Sequence, residues 1–317
     1  MNLNVSIIGA GWMGRTHALA VDTVGDKINK VIDPDLKKAE TLSNKYGCTC
    51  DSRLEAARNS DVAIITSPSH LHLEQSEILL NMGLAVLVEK PHRLPKQPSK
   101  NLSNILKIKC GFIQVGMTSR FNPGLQAITA AVRNGALGEI LSYSDRYYFQ
   151  LKDGMLSDWY FQAPSAGGGV LLTNGVHLID RCQWVLDINL NVTSSKFTKI
   201  FKTHSQEDFA SVQGTAGKTH VHLSLLWTPT ETPQSELVII GTKGTAEFSE
   251  HGWKISTFDF EQSGPAISQE KQFETQWINF RGKLLGEIPL STKDPDFYVL
   301  EKTLKQIENI YDNEDTK

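Results

Sequence analysis

Three stretches of this sequence carry residues whose types and spacing can do chemistry. The first is "IIGAGWMG", where Gly9, Gly11 and Gly14 stand in G-x-G-x-x-G spacing after an apolar, β-branched run. In that context Gly9 makes the tight turn and Gly11 lets backbone approach a pyrophosphate. Gly14 lets a helix pack on a strand, with its N-terminus facing the phosphate charge. Trp12 and Met13, at the helix start, count with the glycines as cofactor contacts. Asp33 follows about 20 residues on, at the end of a second apolar run, where a carboxylate accepts hydrogen bonds from ribose hydroxyls. The other reading of Asp33 is the N-cap of the next helix. A carboxylate there repels the 2′-phosphate of NADP and favours NAD; Lys37 and Lys38, close behind, leave NADP open.

The second stretch is "AVLVEKPHRLP", residues 85–95. Lys90 ends a buried strand, and Pro91 holds it extended or in a cis bond, so its amine is aimed. A lysine partly desolvated beside an oxidised nicotinamide has its pKa lowered, and it can take a proton from a hydroxyl or return one to a carbonyl. A solvated surface charge is the plain alternative. Glu89 either contacts the cofactor or sets the charge of Lys90. His92 and Arg93 either reach an anionic group of the substrate or lie in a solvated loop.

The third is "GGGVLLTNGVHLIDRCQW". Gly167 to Gly169 permit backbone near a ligand, and a helix from about Gly175 carries His177 in its first turn. Asp180 shares the face of His177 and could orient its ring or bind a substrate hydroxyl; a satisfied core histidine is the alternative. Tyr147, Trp159 and Tyr160 could wall a sugar pocket, since C–H faces of sugars pack on rings, or simply fill a core.

The elements that must hold these residues follow from periodicity. The first third alternates apolar strands ("NVSII", "INKVI", "DVAIIT", "LAVLVE", "GFIQVGM") with helical stretches, which predicts a doubly wound parallel sheet over residues 1–120. From 121 to 317 long alternating segments follow one another with little helix, which predicts an α+β domain with a mostly antiparallel sheet. A last amphipathic helix, about 296–311, is expected to pack back on the body, and the polar tail "DNEDTK" to fray. With 317 residues, 40% hydrophobic and 21% charged, the chain supports two cores. A net charge of −3 with scattered signs gives no footprint for nucleic acid or an anionic membrane, so a small molecule is the expected partner. No apolar run approaches the roughly 20 residues of a bilayer span, and the start lacks a signal-peptide pattern, so a cytoplasmic location is expected. Cys48, Cys50, Cys110 and Cys182 show no metal spacing beyond one C-x-C pair, are read as reduced, and no metal is expected.

Taken in order, "GAGWMG", "TSPSHLH", "VEKP", "GMTSRFNP", "NGALGEI", "GGGVLLTNGVHLID" and "IIGTKGTAEF" resemble the glucose-fructose oxidoreductase / inositol dehydrogenase family, Gfo/Idh/MocA, over nearly the whole chain. The resemblance implies a Rossmann domain followed by an open-faced sheet domain that forms homodimers or homotetramers. It also implies NAD or NADP, and sugar, cyclitol or related substrates. Lys90 looks like the lysine that contacts nicotinamide ribose and substrate oxygen. Ser67, Pro68 and His72 look like the loop bordering the cofactor, although His72 reads equally as a helix-start residue with a hydrogen-bonded ring. Arg120 falls at the start of the second domain, near the cleft. Many dehydrogenases of the family have an aspartate four residues before the histidine; here Thr173 stands there, followed by Asn174. A hydroxyl cannot supply a carboxylate's charge. Proton transfer then falls mainly on Lys90, with Thr173 or Asn174 positioning a substrate hydroxyl or carbonyl. A non-catalytic dinucleotide sensor and a C=N or C=C reductase of the same fold are the alternative functions.

Overall fold

The computed structural model describes residues 2–109, 111–152, 154–201, 205–231 and 235–314. The chain divides into two units, Met1–Thr118 with Ser268–Glu301 and Ser119–Ile267 with Lys302–Lys317.

The first unit is built on six parallel strands, β1 (Asn4–Ile8), β2 (Lys27–Ile32), β3 (Thr49–Asp51), β4 (Val62–Ile65), β5 (Ala85–Val88) and β6 (Ile113–Val115). Their order is β3-β2-β1-β4-β5-β6, so the chain reverses direction across the sheet between β1 and β4, the crevice position of a dinucleotide fold. Alternate residues of the strands supply two cores. Ile8, Ile65 and Val88 face one side, and Ile7, Ile64 and Leu87 the other. That is why β4 and β5 read as continuous apolar runs. Helices α1 (Trp12–Val24), α2 (Leu36–Tyr46), α3 (His72–Asn81) and α4 (Lys100–Lys109) connect the strands. The first two stop at Gly25 and Gly47, both in the left-handed conformation that lets the last carbonyls be capped.

The second unit carries eight strands, β7 (Ile140–Gln150), β8 (Asn191–Thr198), β9 (Phe209–Ala216), β10 (Thr219–Thr228), β11 (Ser235–Gly241), β12 (Gly244–Ser249), β13 (Gly252–Thr257) and β14 (Glu261–Pro265). They lie in the order β14-β13-β12-β11-β7-β10-β9-β8, antiparallel except for the parallel pair β7 and β10. Tyr143, Val212, Leu223, Leu237 and Ile239 of the sheet pack into one core with residues of α5 (Pro123–Arg133) and, beyond the one-turn helix α6 (Ala163–Ala166), α7 (Val176–Leu186). The alternate residues, among them Gln213, His220 and His222, remain exposed, which makes the sheet open-faced.

The two units do not divide at one point along the chain. Helix α8 (Gln269–Leu284) belongs to the first unit: Phe273, Trp277 and Phe280 enter its core, and the Trp277 indole donates to Asp26 at 2.9 Å. Helix α9 (Phe297–Glu314) divides as well. Phe297 and Leu300 belong to a core of the first unit, while Leu304, Ile307 and Ile310 belong to the core of the second. The amphipathic pattern of α9 carries the expectation that it packs back; the return of α8 is a long-range event that no local pattern announces. Cys48, Cys50 and Cys182 are free thiols; Cys110 and tail residues 315–317 lie outside the described residues. Among the described residues no helix is long and apolar enough to cross a membrane.

Candidate functional site

In the first unit the candidate residues follow the carboxyl ends of β1, β2, β4 and β5, and because the strands are parallel these ends share one edge of the sheet. Gly9 has φ +99° and donates its N–H to the Ile32 carbonyl at 2.8 Å. A Cβ on Gly14 would stand 1.9 Å from the Gly9 carbonyl oxygen, so α1 can rest on the turn only with glycine there. Gly11 differs: a Cβ on it would meet nothing within 4 Å. Two of the glycines are required by the protein itself, and the third keeps space open at a helix N-terminus. This fits a dinucleotide pyrophosphate. Trp12 beside it is 59% exposed, and Met13 packs against the core.

Asp33 clasps the turn: its carboxylate accepts from Ala10 N at 2.7 Å and from Asp35 N at 2.8 Å. The N-cap of α2 is Asp35, which accepts from Lys37 N and Lys38 N. The capping alternative therefore falls to a neighbour two residues on. Lys38 also turns its amine to Asp35, at 3.3 Å.

At the end of β4, Thr66 donates its hydroxyl to the Gly9 carbonyl at 2.9 Å, and Ser67 donates to Gln75 at 2.6 Å. Pro68 is half-buried between them and α3. His72 opens α3 with its ring fully inside: Nδ1 lies 2.7 Å from the Pro91 carbonyl and Nε2 2.7 Å from the Ser67 carbonyl. The ring thus ties the loop after β4 to the loop after β5. Burial lowers its pKa, against the pull of the two carbonyls and Glu89.

Lys90 sits half-buried beyond β5, joined to Pro91 by a cis peptide bond. Burial lowers the pKa of its amine, and the Glu89 carboxylate works in the opposite direction. Glu89 is buried and accepts from His17 Nε2 at 2.8 Å and from Lys90 N at 3.2 Å. Burial alone would raise the Glu89 carboxyl; the His17 hydrogen bond and the charges of His17 and Lys90 bring it below the ordinary carboxylate value.

His92 and Arg93 do not lie in a solvated loop. They are 2% and 3% exposed, and both bind Glu301, His92 Nε2 at 3.0 Å and Arg93 Nε at 2.6 Å. Burial would raise the Glu301 carboxyl, but the His92 and Arg93 hydrogen bonds hold it at about 2.

In the second unit α7 begins after Gly175, as expected, but not as a free helix end. A wide π-helical turn, Leu171–Gly175, runs directly into α7, so His177 lies inside a continuous helix rather than at its positive end. The continuous helical run begins at Val170, and just before it Gly169 N–H donates to Glu207 at 3.0 Å, as does Leu171 N–H. Tyr311 Oη donates to the same carboxylate at 2.8 Å. Burial raises the Glu207 carboxyl, and these donors oppose it. The triple glycine makes room for the protein's own groups: a Cβ on Gly168 would stand 2.4 Å from Tyr311 Oη, and one on Gly169 2.1 Å from the Glu207 carbonyl.

Asp180 and Arg120, two candidate substrate contacts, are each other's partners. Arg120 Nε and Nη2 donate to the carboxylate at 2.8 and 2.5 Å, both side chains are buried, and the guanidinium lies over Trp184. The Asp180 carboxylate is thus engaged through both oxygens by a guanidinium of the protein itself. Thr173, Asn174 and His177 stay half-buried on successive turns of one helix. Asn174 Oδ1 accepts from the Trp227 indole at 2.9 Å, and Phe161 packs edge-on to that indole. The short helix Asp158–Phe161 is thereby brought to Asn174, with Trp159 and Tyr160 stacked at 3.8 Å between centroids. Tyr147 stacks with Phe149.

His17 and Glu207 escaped the sequence analysis. His17 had a signal: Gly14, His17, Ala18 and Val21 form the buried stripe of α1, and a histidine in such a stripe asks for a partner. Glu207 lies between strands in no periodic segment and had none.

Two family models match the chain: "Oxidoreductase family, NAD-binding Rossmann fold" over residues 3–117, and "GFO/IDH/MocA C-terminal domain" over residues 125–247. The first unit is accordingly an NAD-binding Rossmann domain. Among similar proteins, inositol 2-dehydrogenase of Rhizobium meliloti (strain 1021) is 30% identical over 144 residues, 44% of this chain and 43% of that protein. D-glucoside 3-dehydrogenase of Escherichia coli (strain K12) is 28% identical over 62% of this chain and 58% of its own. The chain therefore spans about half the length of these curated relatives. Levoglucosan dehydrogenase, solved with NADH and levoglucosan, shares the fold with TM-score 0.85 over 98% of this chain and 96% of that one, at 18% identity.

Proposed function

The chain belongs to the Gfo/Idh/MocA family, and from that premise we propose that it is an oxidoreductase acting between NAD and a secondary alcohol or ketone of a sugar, cyclitol or sugar derivative. Bound nicotinamide supplies the hydride acceptor or donor. Lys90 carries the proposal: it is an amine with a lowered pKa on the same sheet edge as the open glycine turn. As a neutral amine it takes a proton from a substrate hydroxyl, and as an ammonium it returns one to a carbonyl oxygen. Asp33 holds the turn through Ala10 and offers its carboxylate to ribose hydroxyls, which favours NAD; the Lys38 charge, already turned to Asp35, does little for a 2′-phosphate, and Lys37 leaves NADP use open.

In the second unit, Thr173, Asn174, His177 and Trp159 are the side chains suited to hold hydroxyls or pack on a sugar face. Thr173 brings no charge, so His177 orients rather than drives proton transfer. The uncovered sheet face is where copies of the chain join as a homodimer or homotetramer. The test is reduced-nicotinamide absorbance with NAD and NADP across sugars, cyclitols and keto-sugars. A substrate is expected, and Lys90→Ala should cut its turnover about 10³-fold while leaving NAD-linked thermal stabilisation in place. Turnover within tenfold of the parent in that variant removes Lys90 from the chemistry.

A further inference from the structure

The structure assigns a second role beside Lys90: we infer that His17, acting through Glu89, is a positioning residue that sets the protonation state of the Lys90 amine. This rests on the acid/base reading of Lys90 given above. His17 reaches the end of β5 from α1, is 1% exposed, and is held from its other side by Phe273, whose ring meets it edge-on at 4.9 Å. An ionised carboxylate only accepts, so the Nε2 that lies 2.8 Å from Glu89 Oε1 carries the proton and donates it.

The Glu89 carboxylate has little room. A Cβ on Gly116 would come within 2.8 Å of Oε1, so the glycine there keeps the pocket for this carboxylate open. With one oxygen bound by His17 and the other accepting the Lys90 amide at 3.2 Å, the side chain places a fixed negative charge at the base of the lysine. A carboxylate buried to this degree stays ionised only if a donor or cation compensates it. His17 is that donor, and the charge it preserves opposes the effect of burial on Lys90. The other titratable groups facing this cluster are His72 from α3 and His92 from the loop after β5. His72 is committed to two carbonyls and His92 to Glu301, which leaves His17 as the histidine bonded to Glu89.

The state of the amine can be read without substrate. The full-length protein is labelled with a small amine-reactive anhydride at a series of pH values, and the rate at Lys90 is followed by peptide mass spectrometry against surface lysines. Glu89→Gln should raise the Lys90 labelling rate at pH 8 about tenfold, because the neutral amine is no longer opposed by a charge. His17→Leu should raise it about threefold in the same direction, and His17→Gln, which keeps an N–H donor, should stay near the parent. Circular dichroism and NAD-linked thermal shift identify any variant that fails to fold. A folded His17→Leu protein whose Lys90 labels at or below the parental rate overturns the inference, as does a His17→Gln protein that behaves like His17→Leu. If labelling shifts as expected but no carbohydrate is turned over, the linkage of His17 to Lys90 stands and the proposed reaction falls.

Discussion

Two glycine-rich segments in this chain each lead into a helix, and they mean opposite things. In "GAGWMG" a Cβ on Gly11 would project into open space, whereas in "GGG" the Cβ positions of Gly168 and Gly169 are already taken by Tyr311 and Glu207. At the first helix start the N-cap, Gly11, makes no side-chain hydrogen bond; at the second, the carboxylate of Glu207 occupies the amides of Gly169 and Leu171. A helix start is a ready anion site in either case. The protein fills one with its own carboxylate and leaves the other open. Glycine content by itself does not separate the two; what a Cβ would strike does.

Substitutions at the glycines break the comparison most sharply. Gly14→Ala drives a methyl onto the Gly9 carbonyl and should cost the first unit about 3 kcal/mol or more, abolishing NAD-linked thermal stabilisation; Gly11→Ala should leave the melting temperature without NAD unchanged and weaken NAD at least about tenfold. Isothermal titration beside thermal melts separates the two outcomes. Equal damage to ligand-free stability from both would show that Gly11 is structural after all.

The next largest effect is in the second unit. Gly169→Ala should destabilise it by about 2–3 kcal/mol, seen as faster hydrogen exchange in α7, with NAD affinity within about twofold of the parent. NAD affinity falling tenfold would return the triple glycine to the ligand site.

Buried carboxylates give the smallest and most discriminating signal, because their signs differ. Glu301, held at about 2 against an ordinary 4.5, contributes stability that is complete above pH 4.5 and is lost as pH falls toward 2, at most about 3 kcal/mol in all and less after solvent screening. Glu207 is raised by burial, so its contribution is complete below pH 4.5 and is lost as pH rises through its folded pKa. Urea midpoints of Glu301→Gln and Glu207→Gln across pH 2 to 7 should each flatten the matching limb. A Glu207→Gln protein with the parental slope above pH 4.5 would sink that assignment.

Much of the first unit was legible because its signals are local. The strand runs, the glycine spacing and Asp33 after β2 all sit within about 30 residues of one another, the length of a βαβ unit. The second unit was legible as a sheet but not as a site. Asp180 was expected to serve His177 because both lie on one helix face, yet its partner is Arg120, 60 residues earlier in the chain. His92 and Arg93 had the composition of a solvated loop and lie buried against Glu301, more than 200 residues later. Helix α8 went unseen although Ser268 caps it and Phe273, Trp277 and Phe280 repeat at helical spacing; its removal to the first unit could not have been read.

By itself, then, the sequence determined the alternation of elements, the dinucleotide turn and the lysine at a strand end, since each depends on backbone conformations and periods that near neighbours impose. Tertiary structure alone decided which charges are spent internally. Glu89 with His17, Asp180 with Arg120, Glu207 with Gly169 and Tyr311, and Glu301 with His92 and Arg93 join residues dozens to hundreds of positions apart. A buried charge must find its partner wherever the fold brings one, and spacing along the chain carries no record of that choice.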